Sequence, residues 1–204
     1  HDLRAPLRAV DGFSQALEED CSEQLDERAL DFLNRIRGGA HRMGQLIDDL
    51  LRLSRLNRAP IRLSRVDLGT LARDVFHELE NAEPHRKVEL VLDEELLAVA
   101  DPGLIRIVME NLLQNAWKFT SHHATARIEV GSRLGGDVLE FFVKDDGAGF
   151  DMAHADQLFG VFQRLHDVED FPGTGIGLAT VKRIIHRHGG TVSAKGEIEK
   201  GTTV

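Results

Sequence analysis

The sequence predicts an α+β protein. An antiparallel helical hairpin, forming a four-helix bundle in a dimer, is followed by an α/β sandwich with a mixed sheet and helices on one face. Three observations predict it. Residues 1–57 carry only helical apolar periodicity, whereas beyond residue 67 helical and β-rich runs alternate. Between them, Pro60 and the alternating stretch Ile61-Arg62-Leu63-Ser64-Arg65-Val66 mark a linker entering a first strand. The expected division is 1–57, 58–66 and 67–204.

Taken in order, Leu3, Leu7, Val10, Phe13 and Leu17 recur at spacings of three and four, making one apolar stripe. Pro6 falls in the first turns, where a missing N–H is tolerated. The polar run Asp20 to Asp26 breaks the period. A second stripe follows through Leu30, Leu33, Ile36, Ala40, Met43, Ile47, Leu50 and Leu53. Two such helices on a short loop form a hairpin. A lone hairpin buries too little apolar surface to stand alone, so pairing of two copies is expected, giving a homodimer.

Asp67 is placed to cap a helix running through Glu80. Val88–Leu92 and Leu96–Ala100 read as strands. Asp101-Pro102 opens a helix to Lys118, with Asp at the N-cap and Pro at N1. Arg127–Ser132 and Val138–Lys144 form a hairpin around Gly135-Gly136. A helix is expected over 174–188, ended by Gly189-Gly190, with the last strands running to Val204.

The bulk numbers are those of a globular protein, at 204 residues, 42% hydrophobic and 29% charged. A net charge of -9 argues against a nucleic-acid partner, which requires a basic surface. The lone Cys21 forms no internal disulfide and fits a reducing, cytoplasmic setting. No apolar run approaches the roughly 20 residues of a membrane-spanning helix. The chain opens on a histidine without a preceding Met or signal peptide, and reads as the later part of something longer, with no sensor domain of its own.

Four blocks carry chemistry. Glu110-Asn111-Leu112-Leu113-Gln114-Asn115-Ala116-Trp117-Lys118 puts Asn111, Asn115 and Lys118 on one helical face. Amide oxygens suit a hard divalent cation and a lysine meets phosphate, though Asn-x-x-x-Asn alone is more often a solvated stripe. Asp145-Asp146-Gly147-Ala148-Gly149 follows a strand, and a carboxylate there can accept from an exocyclic amine such as adenine's. Alone, it is more often a tight turn. Gly173-Thr174-Gly175-Ile176-Gly177-Leu178 precedes a helix, so its N–H groups can cradle phosphates. It is no P-loop, lacking a following Lys-Ser/Thr pair, and no strand pattern precedes it. The fourth block is His1-Asp2-Leu3-Arg4-Ala5-Pro6-Leu7, an imidazole beside a carboxylate.

In this order, and with Leu158-Phe159-Gly160-Val161-Phe162-Gln163-Arg164 between the two glycine-rich turns, these blocks resemble the sensor histidine kinases of two-component systems. The resemblance covers nearly all of the chain and is nearest to the phytochrome-like or PAS-type subgroup. It implies a dimerisation and phosphoacceptor hairpin followed by a Bergerat-type ATP-binding domain. It further implies that Asn115 holds Mg²⁺ with Asn111 in support, that Lys118 touches phosphate, and that Phe119 lies against adenine. Asp145 would read the adenine amino group beside Gly147 and Gly149. Residues 150–172 would form a lid carrying Arg164 to the phosphates, with Phe159 and Phe162 equally well read as core. Gly173, Thr174, Gly175, Ile176, Gly177 and Leu178 would close around the triphosphate.

The resemblance also separates kinase from hydrolase. Related ATPases place a glutamate one turn before the magnesium-binding Asn, where this chain has Asn111, and an amide cannot serve as general base. The nucleophile is then expected at His1, with Asp2 holding Nδ1–H so that Nε2 is free to attack. Phosphohistidine implies a second acceptor, an aspartate on a response-regulator receiver domain, docked near Ala9 and Phe13. Ala5 stands where phosphatase-competent members carry Thr or Asn, so phosphatase activity is expected to be weak. Asp146 replaces the commoner Asn. His122, His123, His154, His166, His186 and His188 are expected at the surface or in helix packing. The competing class is a dimeric nucleotide-binding regulatory module that does not phosphorylate itself.

Overall fold

The computed structural model describes residues 4–21, 24–55, 60–136, 138–167 and 170–204. His1 and Asp2 therefore lie outside the described residues. The chain divides into two compact units, His1–Arg58 and Ala59–Val204.

The first unit is two amphipathic helices, α1 (Arg4–Asp20) and α2 (Glu27–Arg55). Asp26 accepts from the Ala29 N–H at 2.7 Å, closing the first turn of α2. The helices run antiparallel. Arg37 reaches Glu18 at 2.6 Å and Asp11 at 3.5 Å, while Arg4 at the other end pairs with Asp48. These pairs are partly exposed, so they align the helices more than they stabilise them. Of the apolar stripe, Leu33 and Ala40 are buried together with Ser14. Val10, Phe13, Leu17, Ile36, Met43 and Leu50 remain exposed.

The second unit runs β1 (Ser64–Asp67), α3 (Leu68–Ala82), β2 (Val88–Leu92), β3 (Leu97–Ala100), α4 (Pro102–Phe119), β4 (Ala126–Gly135) and β5 (Val138–Asp145). It ends with α5 (Gly177–Arg187), β6 (Lys195–Glu197) and β7 (Gly201–Thr203). Five strands form one sheet in the order β2-β4-β5-β7-β6. Only the β2–β4 pair is parallel; its register sets Leu90 beside Ile128 and Leu92 beside Val130. The first strand does not join this sheet. It pairs antiparallel with β3 in a separate ribbon, Val66 opposite Ala98.

Two aspartates begin the helices that matter. Asp67 accepts from the Thr70 N–H at 3.0 Å and starts α3; these local bonds hold its carboxyl below the usual carboxylate range. Asp101 accepts from the Leu104 N–H at 3.1 Å, with Pro102 at N1 of α4. Its other oxygen takes the Arg62 N–H at 2.9 Å, and its own N–H donates to His188 Nε2 at 3.0 Å. His188 therefore carries its proton on Nδ1, which donates to the Ile184 carbonyl at 2.8 Å. One residue thus fastens the linker, the start of α4 and the end of α5. Leu113 of α4, Ile128 of β4, and Val181 and Ile184 of α5 are fully buried between them.

Two expectations are corrected. The helix expected over 174–188 begins at Gly177, because Gly175 has φ +71°, a left-handed conformation that interrupts the helix before it starts. The strand expected from Leu96 begins at Leu97. Leu96 itself turns into the core, and its carbonyl accepts the Leu68 N–H at 2.8 Å.

Candidate functional site

The last turns of α4 face the two glycine-rich turns. Asn111 donates Nδ2–H to the Ile107 carbonyl at 2.7 Å, which turns Oδ1 outward toward the start of α5. A Cβ on Gly177 would stand 2.7 Å from that oxygen. Asn115 accepts from Lys118 Nζ at 3.3 Å, and Lys118 lies 3.3 Å from where a Cβ on Gly173 would be. Asn111, Asn115 and Lys118 therefore share one face, and Gly173 and Gly177 close on it. Ile176 supplies no side-chain cap to α5, so the N-terminal N–H groups of that helix keep their anion-binding character. Ile176 is buried as an anchor, while Thr174, Gly175 and Leu178 are half-buried around it.

Lys118 is the electropositive point of this face. Its ammonium sits 4.2 Å over the Phe119 ring. Burial, with Arg164 nearby, lowers its pKa to about 8.

Asp145 ends β5 and is buried, with 7% of its surface exposed. Burial raises its pKa to about 6, against the opposing pull of two N–H donors onto Oδ1. They are Gly147 N–H at 3.0 Å and Thr202 N–H at 3.3 Å. The turn then packs back on α4: Ala148 N–H donates to the Phe119 carbonyl at 3.0 Å, with Gly147 against the same oxygen. Gly149 has φ +62°, and a Cβ there would overlap the Glu197 carbonyl. No other residue fits that position. Asp146, by contrast, faces the surface. It accepts the Arg127 N–H at 3.0 Å and stands 3.9 Å from His123.

The segment after this turn carries residues that local sequence patterns did not mark. His166 and Phe171 pack on Phe119, with ring centres 5.2 and 5.1 Å from it, and His122 lies 4.8 Å from Phe171. His166 also bonds the Gly149 carbonyl at 2.8 Å, so its Nε2 is the donor there. His166 thus packs, partly exposed, on the end of α4 and lines the cleft beside it. The only local signal for it is the run of aromatic and cationic residues from Phe159 to Phe171. Arg164 donates to the carbonyls of Gly173 at 2.6 Å, Phe171 at 2.6 Å and Asp167 at 3.3 Å. In this structure it braces the loop, close enough to Lys118 to help lower that ammonium's pKa. A cleft of about 670 Å³ opens beside this segment, lined by His122, Ala148, Phe150, Arg164, His166 and Phe171 among others.

Among the described residues no cluster of three or more His, Cys, Asp or Glu could hold a metal. The nearest oxygen donors on the α4 face are the neutral amides of Asn111 and Asn115. They suit a divalent cation that brings its remaining ligands with it, as one bound to a triphosphate does. No helix among the described residues is long and apolar enough to cross a membrane.

Comparison with known proteins agrees in both units. Residues 100–204 match the family described as "Histidine kinase-, DNA gyrase B-, and HSP90-like ATPase", and residues 1–59 match the "His Kinase A (phospho-acceptor) domain". The whole chain is 31% identical over 203 residues to "Phytochrome-like protein Cph1" of Synechocystis, spanning 27% of that protein. It is 32% identical over 212 residues to "Circadian input-output histidine kinase CikA" of Synechococcus elongatus, spanning 28%. It is 33% identical over 210 residues to "Sensor histidine kinase TrcS" of Mycobacterium tuberculosis, spanning 41%. The chain thus covers well under two thirds of these relatives. Among solved structures, full-length ShkA in complex with AMPPNP superposes with a TM-score of 0.68 at 26% identity, covering 100% of this chain and 42% of that one. The Acinetobacter baumannii histidine kinase AdeS shares the fold, with a TM-score of 0.66 at 22% identity, covering 100% of this chain and 94% of that one.

Proposed function

The chain belongs to the sensor histidine kinases, and from that premise we propose that it uses ATP to phosphorylate His1 and passes the phosphoryl group to an aspartate of a response-regulator receiver domain. The observation that carries this reading is the convergence of Asn111 and Lys118 with Gly173 and Gly177, beside Asp145 at the end of β5. That arrangement supplies a base reader and a phosphate cradle within one unit. The other unit supplies the acceptor.

Asp145 Oδ1 is occupied by two N–H donors, so Oδ2 is the atom offered to the adenine amino group. Phe119 presents its ring to the base once His166 and Phe171 withdraw from it. Lys118, the α5 N-terminus and the 173–177 turn offset the negative charge of the triphosphate. Mg²⁺ would be held by Asn115 with Asn111 in support, neutralising phosphate charge when bound with ATP. Asn111 cannot accept a proton, so water is not activated and the γ-phosphoryl group waits for another nucleophile. His1 Nε2 forms the new N–P bond as the bond to the β-phosphate oxygen breaks and ADP leaves. Asp2 holds Nδ1–H and stabilises the charge that develops on the ring. The hairpin supplies this imidazole at high effective concentration.

The exposed stripe of Ile36, Met43 and Leu50 recurs every seven residues and fits a second copy of the chain, giving a homodimeric four-helix bundle. Ala5 offers no polar group to orient water, so dephosphorylation of the receiver is expected to be slow. The chemistry needs ATP, which suits a cytoplasmic setting for this region.

The test is incubation with γ-labelled ATP and Mg²⁺, comparing the chain with His1→Gln. Acid-labile, alkali-stable label that vanishes in the variant is expected. Nucleotide binding without label would reverse the reading in favour of a regulatory module.

A further inference from the structure

Trp117, the only tryptophan of the chain, is buried on the back of α4. It lies about 200° round the helix from Asn115, at roughly 100° per residue. Its indole N–H donates to Glu83 Oε1 at 3.1 Å, and the ring of Phe76 meets it edge-on at 5.6 Å. The Arg86 guanidinium covers its face at 4.6 Å. The same guanidinium donates to the Trp117 carbonyl at 2.6 Å and to Thr120 Oγ1 at 3.0 Å.

These bonds fall where a helix leaves its carbonyls without intrahelical partners. In the last turn of α4, the Ala116 carbonyl takes the Thr120 N–H, the Lys118 carbonyl takes the Ser121 N–H and the Phe119 carbonyl takes the Ala148 N–H. The Trp117 carbonyl falls to Arg86 and the Thr120 hydroxyl. Ala148 therefore fastens the Phe119 carbonyl to the nucleotide side, and Arg86 fastens the Trp117 carbonyl, two residues earlier, from behind. A cation at a helix C-terminus is favourable, and a planar fork that also stacks on an indole is a task for arginine, not lysine.

We infer that Arg86, in the loop after α3, is a positioning residue for nucleotide binding: it clamps the last turn of α4 and so sets Lys118 and Phe119 against the nucleotide. The inference rests on the function proposed above. Arg86 acts in this role only through Lys118 and Phe119, so its loss is expected in the capture of ATP rather than in the rate once ATP is held.

The experiment uses the full chain, with phosphohistidine formation measured across a range of ATP concentrations. In Arg86→Ala the ATP KM is expected to rise about tenfold with the maximal rate within about twofold of the parent. Arg86→Lys, which keeps the charge but not the fork and the stacked plane, is expected to recover only part of the loss, about threefold from the parent. Should Arg86→Ala fail to fold, the lysine variant decides alone. An unchanged KM in a folded variant, or a fall in maximal rate at unchanged KM, would overturn the inference. If the parent chain itself binds no ATP, the proposed function fails and takes this inference with it. If the parent and Arg86→Ala bind ATP equally, only the role of Arg86 is lost.

Discussion

In the C-terminal unit Leu113, Ile128 and Ile184 are completely buried, whereas in the hairpin Phe13 keeps 73% of its surface exposed, Met43 51% and Ile36 48%. Both regions were recognisable by apolar periodicity, yet periodicity says only that a face is apolar, not what covers it. The sheet unit closes its core with its own helices and can place its polar groups exactingly: Asp145 is held by two N–H donors, and Asp101 by three partners. The hairpin buries only Ser14, Leu33 and Ala40 among its described residues, and leaves a stripe for another surface. One unit closes its own core, and on the function proposed above it holds the nucleotide. The other leaves an apolar stripe open, which the proposed pairing of two copies would cover.

The two units differ most at the hairpin stripe. Ile36→Asp with Met43→Asp would bury two charges in the proposed bundle and is expected to convert a two-chain sedimentation mass to one chain at micromolar concentration. A one-chain mass for the parent would remove the bundle. Next in size is core truncation. Leu113→Ala is expected to lower unfolding stability by about 2–5 kcal/mol in urea. Phe13→Ala, exposed in a single chain, is expected to change it by less than about 0.5 kcal/mol at concentrations where the chain is monomeric, while slowing phosphotransfer to the receiver. Equal losses at the two sites would contradict the contrast.

Asp145 gives a smaller effect of unusual sign. Its carboxyl keeps its proton up to about pH 6 in the native state, whereas the unfolded chain releases it near 3.8. Between those values the native state holds more protons, so stability falls as pH rises through the window, and the penalty is complete above about 6. Asn in its place retains an acceptor for Gly147 and Thr202. Asp145→Asn is therefore expected to gain about 1–3 kcal/mol at pH 7.5, measured by urea unfolding, while losing ATP binding. A variant that binds ATP normally would unseat Asp145 as base reader.

The smallest effect is on the alkaline side. Lys118 loses its proton near pH 8 in the folded chain, below the usual lysine range. Stability from this group therefore rises with pH above about 8, as the unfolded state retains the proton longer. ATP capture should fall over the same range, giving kcat/KM for ATP a maximum between about 6 and 8. A flat alkaline limb would remove Lys118 from the phosphates.

What could be read from the chain was local. Asp67 and Asp101-Pro102 announced α3 and α4 because an N-cap acts within three residues. The polar face of α4 and both glycine-rich turns were equally local. What could not be read was long-range pairing. The separation of β1 and β3 from the main sheet depends on a partner some thirty residues away. Phe119 with His166, and Arg86 with Trp117, are likewise contacts between segments that no periodicity joins. The start of α5 was misplaced for a different reason: Gly175 adopts a left-handed conformation that composition permits but does not require.

The most direct measurement is to locate the phosphoryl group, by mass spectrometry at neutral pH after incubation with ATP and Mg²⁺. One phosphoryl group is expected on His1, absent from His1→Gln and from Asp145→Asn, because the hairpin would receive what the sheet unit holds. Phosphate on any other residue, or its persistence on His1 in Asp145→Asn, would contradict it.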